Sequence, residues 1–194
     1  ASRMVVAAVH DMANEGQEID TASLQSAILR ANQQVLNASV GNASYEGMGS
    51  TATVLHIDES AGIAYYAHVG DSRLYLLRQG IFRQVSRDHS YVEELVARGE
   101  LSEEEAQHHP RKNLLLRAVG IEERLHVDGD TFPLAAGDRL LLATDGLTNM
   151  VNDDELAALL GGSFADVAER MVERALAGGG SDNITAIALA YDPS

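Results

Sequence analysis

The chain has 194 residues, of which 45% are hydrophobic, with no cysteine and a formal net charge of −15. This length is typical of one domain with a substantial core, and a cysteine-free chain forms neither disulfides nor thiolate metal sites. The excess of acid predicts that the protein repels nucleic acid and anionic membrane surfaces.

Two helical stretches open the chain. Residues 2–13 carry small and apolar side chains at helical spacing. Residues 21–39 begin at an N-cap and place one apolar face together; its members are Leu24, Ala27, Ile28, Ala31, Val35 and Ala38. A connector rich in glycine and serine follows at 41–49.

A β region comes next. Alternating apolar patterns predict four strands, at residues 50–57, 63–69, 73–78 and 81–85. The dipeptide Gln79-Gly80 predicts a two-residue hairpin turn between the last two strands. Gly70-Asp71-Ser72 predicts a second tight connection, with hairpin geometry.

The second half begins with a polar stretch at residues 89–120, in which two short helices are predicted, at 91–98 and 102–107. We interpret this stretch as a surface insertion that could move. Strands are predicted again at 125–132, 138–144 and 184–191, with helices at 153–160 and 163–177. Helices at both ends around many strands predict an α+β sandwich with helices outside.

Two aspartates lie in turns that are far apart in sequence. Asp145 follows the apolar run 140–143, and Asp182 precedes the apolar run that starts at Ile184. Two carboxylates at the mouths of two core strands can converge on one point, and Mg²⁺ and Mn²⁺ prefer such oxygen ligands. The alternative is that each is only a turn residue, because Asp-Gly and Ser-Asp-Asn are common turn sequences.

Five turn motifs follow one another along the chain. They are Gly-Met-Gly-Ser-Thr-Ala at 47–52, His-Val-Gly-Asp-Ser-Arg at 68–73, Arg-Asp-His-Ser at 87–90, Thr-Asp-Gly-Leu at 144–147 and Ser-Asp-Asn-Ile-Thr at 181–185. In this order and spacing they resemble the bacterial form of the PP2C (PPM) family of metal-dependent protein serine/threonine phosphatases. The resemblance covers essentially the whole chain, as one partial domain at 1–194 with a mobile flap at about 90–120.

The resemblance implies two packed antiparallel sheets flanked by helices, in αββα layers, and a binuclear Mn²⁺ or Mg²⁺ centre between them. Asp145 and Asp182 match metal ligands of this centre. Asp88 matches the residue that shares a third, weaker ion with the Asp-Gly aspartate. The remaining motif residues are interpreted as structural or supporting: Asp71, Gly146 and Asn183.

The implied chemistry suits the composition. A phosphate monoester hydrolyses very slowly and carries two negative charges. Two divalent ions lower the pKa of a bridging water and hold the phosphoryl oxygens, so that no cysteine or serine nucleophile is needed. Phosphoserine and phosphothreonine on exposed segments of other proteins are the expected substrates.

The N-terminus departs from the family pattern. Family members begin with a strand that carries a phosphate-binding arginine, and then an Asp-Gly-x-Gly-Gly-His type motif supplies the carboxylate that bridges both metals. This chain opens at Ala1-Ser2-Arg3, within what matches the following helix. It could be a fragment, a chain whose N-terminal part is removed or separate, or a natural short form that binds without catalysis. We expect no independent phosphatase activity from these residues, poor metal binding, and sheet edges that invite pairing.

Three hypotheses for function follow. The leading one is a PP2C-type phosphatase that acts in bacterial signalling, opposite a Ser/Thr protein kinase. The alternatives are a phosphatase-like interaction module without catalysis and a purely structural α+β domain. The N-terminal apolar run is too short to span a membrane and lacks signal-peptide features, so we expect a cytoplasmic protein with neither nucleic-acid nor membrane partners.

Overall fold

The computed structural model describes residues 1–40 and 42–193. The connector predicted at 41–49 begins at Gly41, which lies outside the described residues. Packing divides the chain into two units. The first unit comprises Ala1–Asp58, Ala64–Asp71 and Asp88–Phe132, and the second comprises Glu59–Ile63, Ser72–Arg87 and Pro133–Ser194.

Helices and strands alternate in blocks along the chain. The helices in the described residues are α1 (Ser2–Asn14), α2 (Thr21–Ser39), α3 (Tyr91–Ala97), α4 (Glu103–His108), α5 (Asp145–Thr148), α6 (Asp153–Gly161) and α7 (Val167–Ala177), with a 3₁₀ turn at Ala43–Tyr45. The strands are β1 (Ala52–Asp58), β2 (Ile63–Val69), β3 (Arg73–Arg78), β4 (Ile81–Gln84), β5 (Asp128–Pro133), β6 (Asp138–Ala143) and β7 (Ala186–Tyr191).

The first unit is built on the sheet β1-β2-β5 and on helices α1 and α2. Helix α2 starts where the sequence predicts, because Asp20 and Ser23 form a reciprocal capping box. The apolar face of α2 is buried in a core with α1 and with residues of β1 and β2, including Leu24, Ile28, Val35, Ala52, Ala67 and Val69. This core supports the strand β2, which leads into the Gly70–Asp71 turn.

The flap is part of the first unit. Its two ends meet at an isolated antiparallel bridge between Ser90 and Leu115. The Tyr91 amide donates to the Leu114 carbonyl at 2.8 Å, and helices α3 and α4 lie between these ends. The segment predicted as an insertion therefore contains two helices, and its two ends are paired with each other at Ser90 and Leu115.

The second unit is built on the antiparallel sheet β4-β3-β6-β7. Its core joins the sheet residues Tyr75, Leu141 and Ala143 to helices α5, α6 and α7. The Gln79-Gly80 hairpin is confirmed: both residues have positive φ, 52° and 80°, and Arg78 pairs with Ile81 across the turn.

Some boundaries differ from the predictions. Helix α7 begins at Val167 rather than at 163, because Asp166 adopts left-handed backbone angles with φ 55°. Strand β5 begins at Asp128 rather than at 125, and α5 was not predicted. The connection at 70–72 is tight but closes no hairpin, since β2 and β3 belong to different sheets. Among the described helices, none is both long and apolar enough to cross a membrane.

Candidate metal-binding site

Strand pairing in the second unit brings the two predicted aspartates to one end of a sheet. Strands β6 and β7 are antiparallel, and Ala143 pairs with Ala186. Asp145 follows the end of β6 as the first residue of α5, and Asp182 precedes the start of β7. The end of one antiparallel strand lies beside the start of its neighbour, so both turns emerge at the same place.

Hydrogen bonds fasten these two turns to each other. The Thr144 amide donates to the Thr185 carbonyl at 3.1 Å, and the Thr185 amide donates to the Thr144 hydroxyl oxygen at 2.9 Å. The same hydroxyl donates to the Asn183 carbonyl at 3.3 Å. Thr144 therefore holds the residues next to Asp145 and Asp182 in one arrangement.

Gly146 and Asn183 account for how closely the turns approach. A Cβ atom on Gly146 would lie 2.3 Å from the Asn183 carbonyl oxygen, a separation that side chains do not adopt. The Asn183 amide donates to Oδ1 of Asp182 at 2.7 Å. Gly146 therefore allows the close approach of the two turns, and the Asn183 amide orients the Asp182 carboxylate.

The electrostatics of Asp145 show uncompensated negative charge. Burial raises the pKa of its carboxyl, and the charge of Asp182 raises it further. The N–H groups of Gly146 and of Asp145 itself, and the charge of Arg73, act in the opposite direction without cancelling the rise. A cation between the two carboxylates would remove this cost.

Arg73 and Tyr75 were not predicted as site residues. Arg73 pairs with Ala143 across β3 and β6, which places it at the same sheet end as Asp145. Its guanidinium donates to the Tyr75 hydroxyl at 3.0 Å, and that hydroxyl donates to Asp153 at 3.3 Å. The buried tyrosine thus links β3 to the first turn of α6 and holds a positive charge at this edge.

The first unit carries the other two predicted aspartates, Asp71 and Asp88. Asp71 follows Gly70, whose φ is 109° and whose Cβ position would lie 2.4 Å from Thr51 Cγ2, so only glycine fits there. Asp88 precedes His89, and the His89 amide donates to the Gly70 carbonyl at 2.7 Å. The structure therefore brings the two turns that carry Asp71 and Asp88 together.

Two buried histidines lie at this junction. His68 is 0% exposed and His89 is 6% exposed, with ring centroids 4.9 Å apart. Burial lowers the pKa of both imidazoles, that of His68 to about 4 with a further contribution from His89. Both rings are therefore neutral at physiological pH, and each uses one nitrogen as a donor and the other as an acceptor.

A carboxylate and a guanidinium complete the arrangement in the first unit. His89 Nε2 lies 3.1 Å from Oδ2 of Asp128, and Arg117 donates to Oδ1 of Asp128 at 3.1 Å. Burial raises the pKa of Asp128, but the hydrogen bond from His89 and the charge of Arg117 outweigh this effect and lower the pKa. Asp128 thus remains ionised.

Comparisons with known proteins identify the family of this chain. The family described as Stage II sporulation protein E (SpoIIE) matches residues 1–192. The serine/threonine phosphatase stp of Listeria monocytogenes is 38% identical over 199 residues, which cover 99% of this chain and 78% of that protein. The chain belongs to the PP2C (PPM) family of serine/threonine phosphatases.

Solved structures of PP2C phosphatases show the same fold. The phosphatase Stp1 of Staphylococcus aureus superposes with a TM-score of 0.92 at 32% identity, over 99% of this chain and 77% of that one. A PstP catalytic domain in complex with two manganese ions superposes with a TM-score of 0.86 at 32% identity, over 96% and 78% of the two chains. The predicted fold class, α+β with antiparallel sheets, is confirmed.

The side chains of Asp145 and Asp182 offer the type of ligand atom that the divalent ions of a PP2C centre prefer. Carboxylate oxygens are hard ligands, and the raised pKa of Asp145 indicates a place where a cation would be stabilised. Within residues 1–40 and 42–193, no three histidine, aspartate or glutamate side chains group closely enough to hold a metal ion. Asp145 and Asp182 therefore act as a pair of candidate ligands.

Sequence reasoning missed the residues that hold these turns. His68 and His89 belong to two of the five turn motifs, but only the aspartates of those motifs were predicted as site residues. A histidine within three residues of an aspartate in two separate motifs was the available signal. Asp128 and Arg117 gave none, because their pairing arises only when β5 and the end of the flap fold against the Asp88 turn.

Proposed function

We propose that this protein removes phosphate from phosphoserine and phosphothreonine side chains of other proteins, with Asp145 and Asp182 as ligands in a centre of two Mn²⁺ or Mg²⁺ ions. The observation that carries the proposal is the pair of turns joined through Thr144, which present two carboxylates at one sheet end. Family membership and the manganese complex of the PstP relative support the same assignment.

The chemistry follows from charge. When bound, the ions would supply positive charge for the phosphoryl oxygens and acidify a water molecule for attack on phosphorus. Asp145 and Asp182 would hold these ions, and the bonds made by Thr144 keep the two carboxylates in place before substrate arrives. Such preorganisation matters because a carboxylate that must reorient on binding adds its reorganisation to the barrier.

We assign Asp88 to a third, weaker ion and Asp71 to a supporting role. Replacing each by asparagine separates these roles, because the amide keeps the shape of the side chain and removes its charge. We expect Asp88→Asn to weaken the third Mn²⁺-binding event in calorimetry, with Asp71→Asn affecting it less. A larger loss in Asp71→Asn would transfer the ligand role to Asp71.

The setting that we propose is bacterial signalling in the cytoplasm, with a Ser/Thr protein kinase as the opposing enzyme. Phosphorylated segments are negatively charged, and the chain carries a net charge of −15. A local positive charge is therefore needed where the phosphate arrives. Bound metal ions and Arg73 are the groups that could supply it at the end of β3 and β6.

A second candidate is a phosphatase-like interaction module without catalysis. It is favoured by one observation: the described residues offer a pair of carboxylates rather than a group of three or more metal-binding side chains. Such a module would recognise a phosphoprotein without hydrolysing it.

The direct test is Mn²⁺-dependent release of phosphate from a phosphothreonine peptide by the intact phosphatase domain. We expect Asp145→Ala to abolish release, and Asp154→Ala, an exposed aspartate in the first turn of α6, to leave it unchanged. Equal release by both variants would refute the metal-centre assignment. If no variant and no native protein releases phosphate but the native protein binds the peptide, the interaction module is the better account.

A further inference from the structure

Two histidines form hydrogen bonds with the amide and the carbonyl of Gly70. The Gly70 amide donates to Nδ1 of His89 at 3.2 Å. The Gly70 carbonyl accepts from the His89 amide at 2.7 Å and from His68 Nε2 at 3.0 Å. Both backbone polar groups of Gly70 are therefore hydrogen-bonded to His68 or His89.

These contacts fix the tautomer of each ring. His89 Nδ1 accepts from an amide, so the His89 proton lies on Nε2, which donates to Asp128. His68 Nε2 faces a carbonyl and must donate, so His68 Nδ1 accepts from the Thr53 hydroxyl at 2.9 Å. Every ring nitrogen has a partner of the correct kind, which is the condition for stable burial of neutral histidine.

His89 also holds the base of the flap. Its carbonyl accepts from the Leu116 amide at 2.8 Å, next to the bridge between Ser90 and Leu115. Arg117, the following residue, pairs with the same carboxylate that accepts from His89. One histidine is therefore bonded through its amide, its carbonyl and both ring nitrogens, to three different segments of the first unit.

We propose that His89 is a positioning residue that locks the Gly70–Asp71 turn, the Asp88 turn and the base of the flap into one arrangement. His68 and Asp128 complete the lock by holding Gly70 and the His89 ring. The consequence for function is that Asp88 is presented in a fixed position and the return of the flap at Leu116 cannot shift independently of it. The link to ion binding rests on the proposed role of Asp88.

Two substitutions of His89 distinguish the roles of its two ring nitrogens. The amide of asparagine can occupy the place of Nδ1 and accept from Gly70, whereas the longer glutamine can occupy the place of Nε2 and donate to Asp128. We expect His89→Gln to speed hydrogen exchange at residues 70–71 by about fivefold, as for loss of one hydrogen bond. His89→Asn should restore slow exchange there.

The matched control is His126→Gln. His126 is 75% exposed and lies 3.3 Å from the same Asp128 carboxylate, but it is not bonded to Gly70. The variant His126→Gln should leave amide hydrogen exchange at residues 70–71 and 114–117 unchanged. Exchange in helix α2 reports whether each variant is folded, so that a general loss of structure is not mistaken for release of the lock.

The second readout is Mn²⁺ affinity measured by calorimetry. We expect His89→Gln to weaken the third ion by about tenfold, the usual effect of losing a group that orients a ligand, with His89→Asn closer to the native protein. Equal exchange at residues 70–71 in His89→Gln and His126→Gln would overturn the lock. If the lock is seen by exchange but Mn²⁺ affinity is unchanged, the lock stands and the role of Asp88 fails.

Discussion

At the scale of single residues, the geometry of this site depends on one hydroxyl group and on one residue without a side chain. Thr144 lies in the turn of Asp145, and its hydroxyl bonds to the residues around Asp182. It donates to the Asn183 carbonyl and accepts from the Thr185 amide. Gly146 contributes by lacking a side chain where the Asn183 carbonyl approaches. Neither residue offers metal-binding chemistry, yet both set the positions of residues that do.

Replacing Gly146 tests this close approach. In Gly146→Ala the new methyl group would meet the Asn183 carbonyl oxygen at 2.3 Å, so the two turns must separate. We expect a loss of about 1–3 kcal/mol in the free energy of unfolding, as for overpacking, measured by urea denaturation. Gly161→Ala is the control, because its nearest contact is a leucine methyl at 3.4 Å. Equal stability of the two variants would contradict the packing argument.

At the scale of elements, the ion pair between Arg78 and Asp138 joins β3 to β6. The guanidinium donates to both carboxylate oxygens, at 2.8 and 2.6 Å, and the Ala135 amide donates to Oδ2 at 2.8 Å. The Asp138 side chain is 1% exposed, whereas that of Arg78 is 35% exposed. Burial raises the pKa of Asp138, but the bonds from Arg78 and Ala135 outweigh it and lower the pKa.

The lowered pKa of Asp138 predicts how stability depends on pH. An unfolded aspartate titrates near pKa ~3.9, so the stabilisation is fully present above that pH and is lost as pH falls through the lower folded value. Asp138→Asn should reduce the free energy of unfolding by about 2 kcal/mol at neutral pH and remove much of the acid dependence.

Urea denaturation at a series of pH values measures both effects. Glu94→Gln, in the exposed pair with Arg98, is the control and should change stability by less than about 0.5 kcal/mol. An acid dependence in Asp138→Asn as steep as in the native protein would show that other carboxyls dominate.

How far the sequence predicts the fold varies with the element. Helix α2 has both of its ends as predicted, since its start is written locally in Asp20 and Ser23. Helix α7 starts later than predicted because Asp166 has left-handed backbone angles. The residue type alone does not predict this conformation. The ends of β2 and β3 were found, but not that they belong to different sheets, because pairing is decided by distant partners.

The candidate site shows the same division. Asp145 and Asp182 were found from local turn motifs, and the antiparallel register of β6 and β7 brings their turns together. The contacts of His68, His89, Asp128 and Arg117 were not foreseen. They depend on residues that are distant in sequence, such as Gly70 with His89, 19 positions apart, and Arg117 with Asp128, 11 positions apart, which no local pattern encodes.

At the scale of the whole molecule, charge governs which partners can approach. A net charge of −15 opposes binding to nucleic acid, whose affinity for proteins comes largely from released counterions. We expect no change in the fluorescence anisotropy of labelled DNA or RNA, even at low salt of about 50 mM. Binding that weakens steeply with added salt would contradict this account and reveal a basic surface able to overcome the overall charge.

The central claim is that Asp145 and Asp182 act together to hold divalent metal, and calorimetric titration with Mn²⁺ tests it most directly. We expect Asp145→Asn and Asp182→Asn each to lower Mn²⁺ affinity at least about tenfold, since each removes a ligand charge. Asp154→Asn removes the same charge from an exposed helix position and should bind as the native protein does. Unchanged Mn²⁺ affinity in both ligand variants would contradict the account.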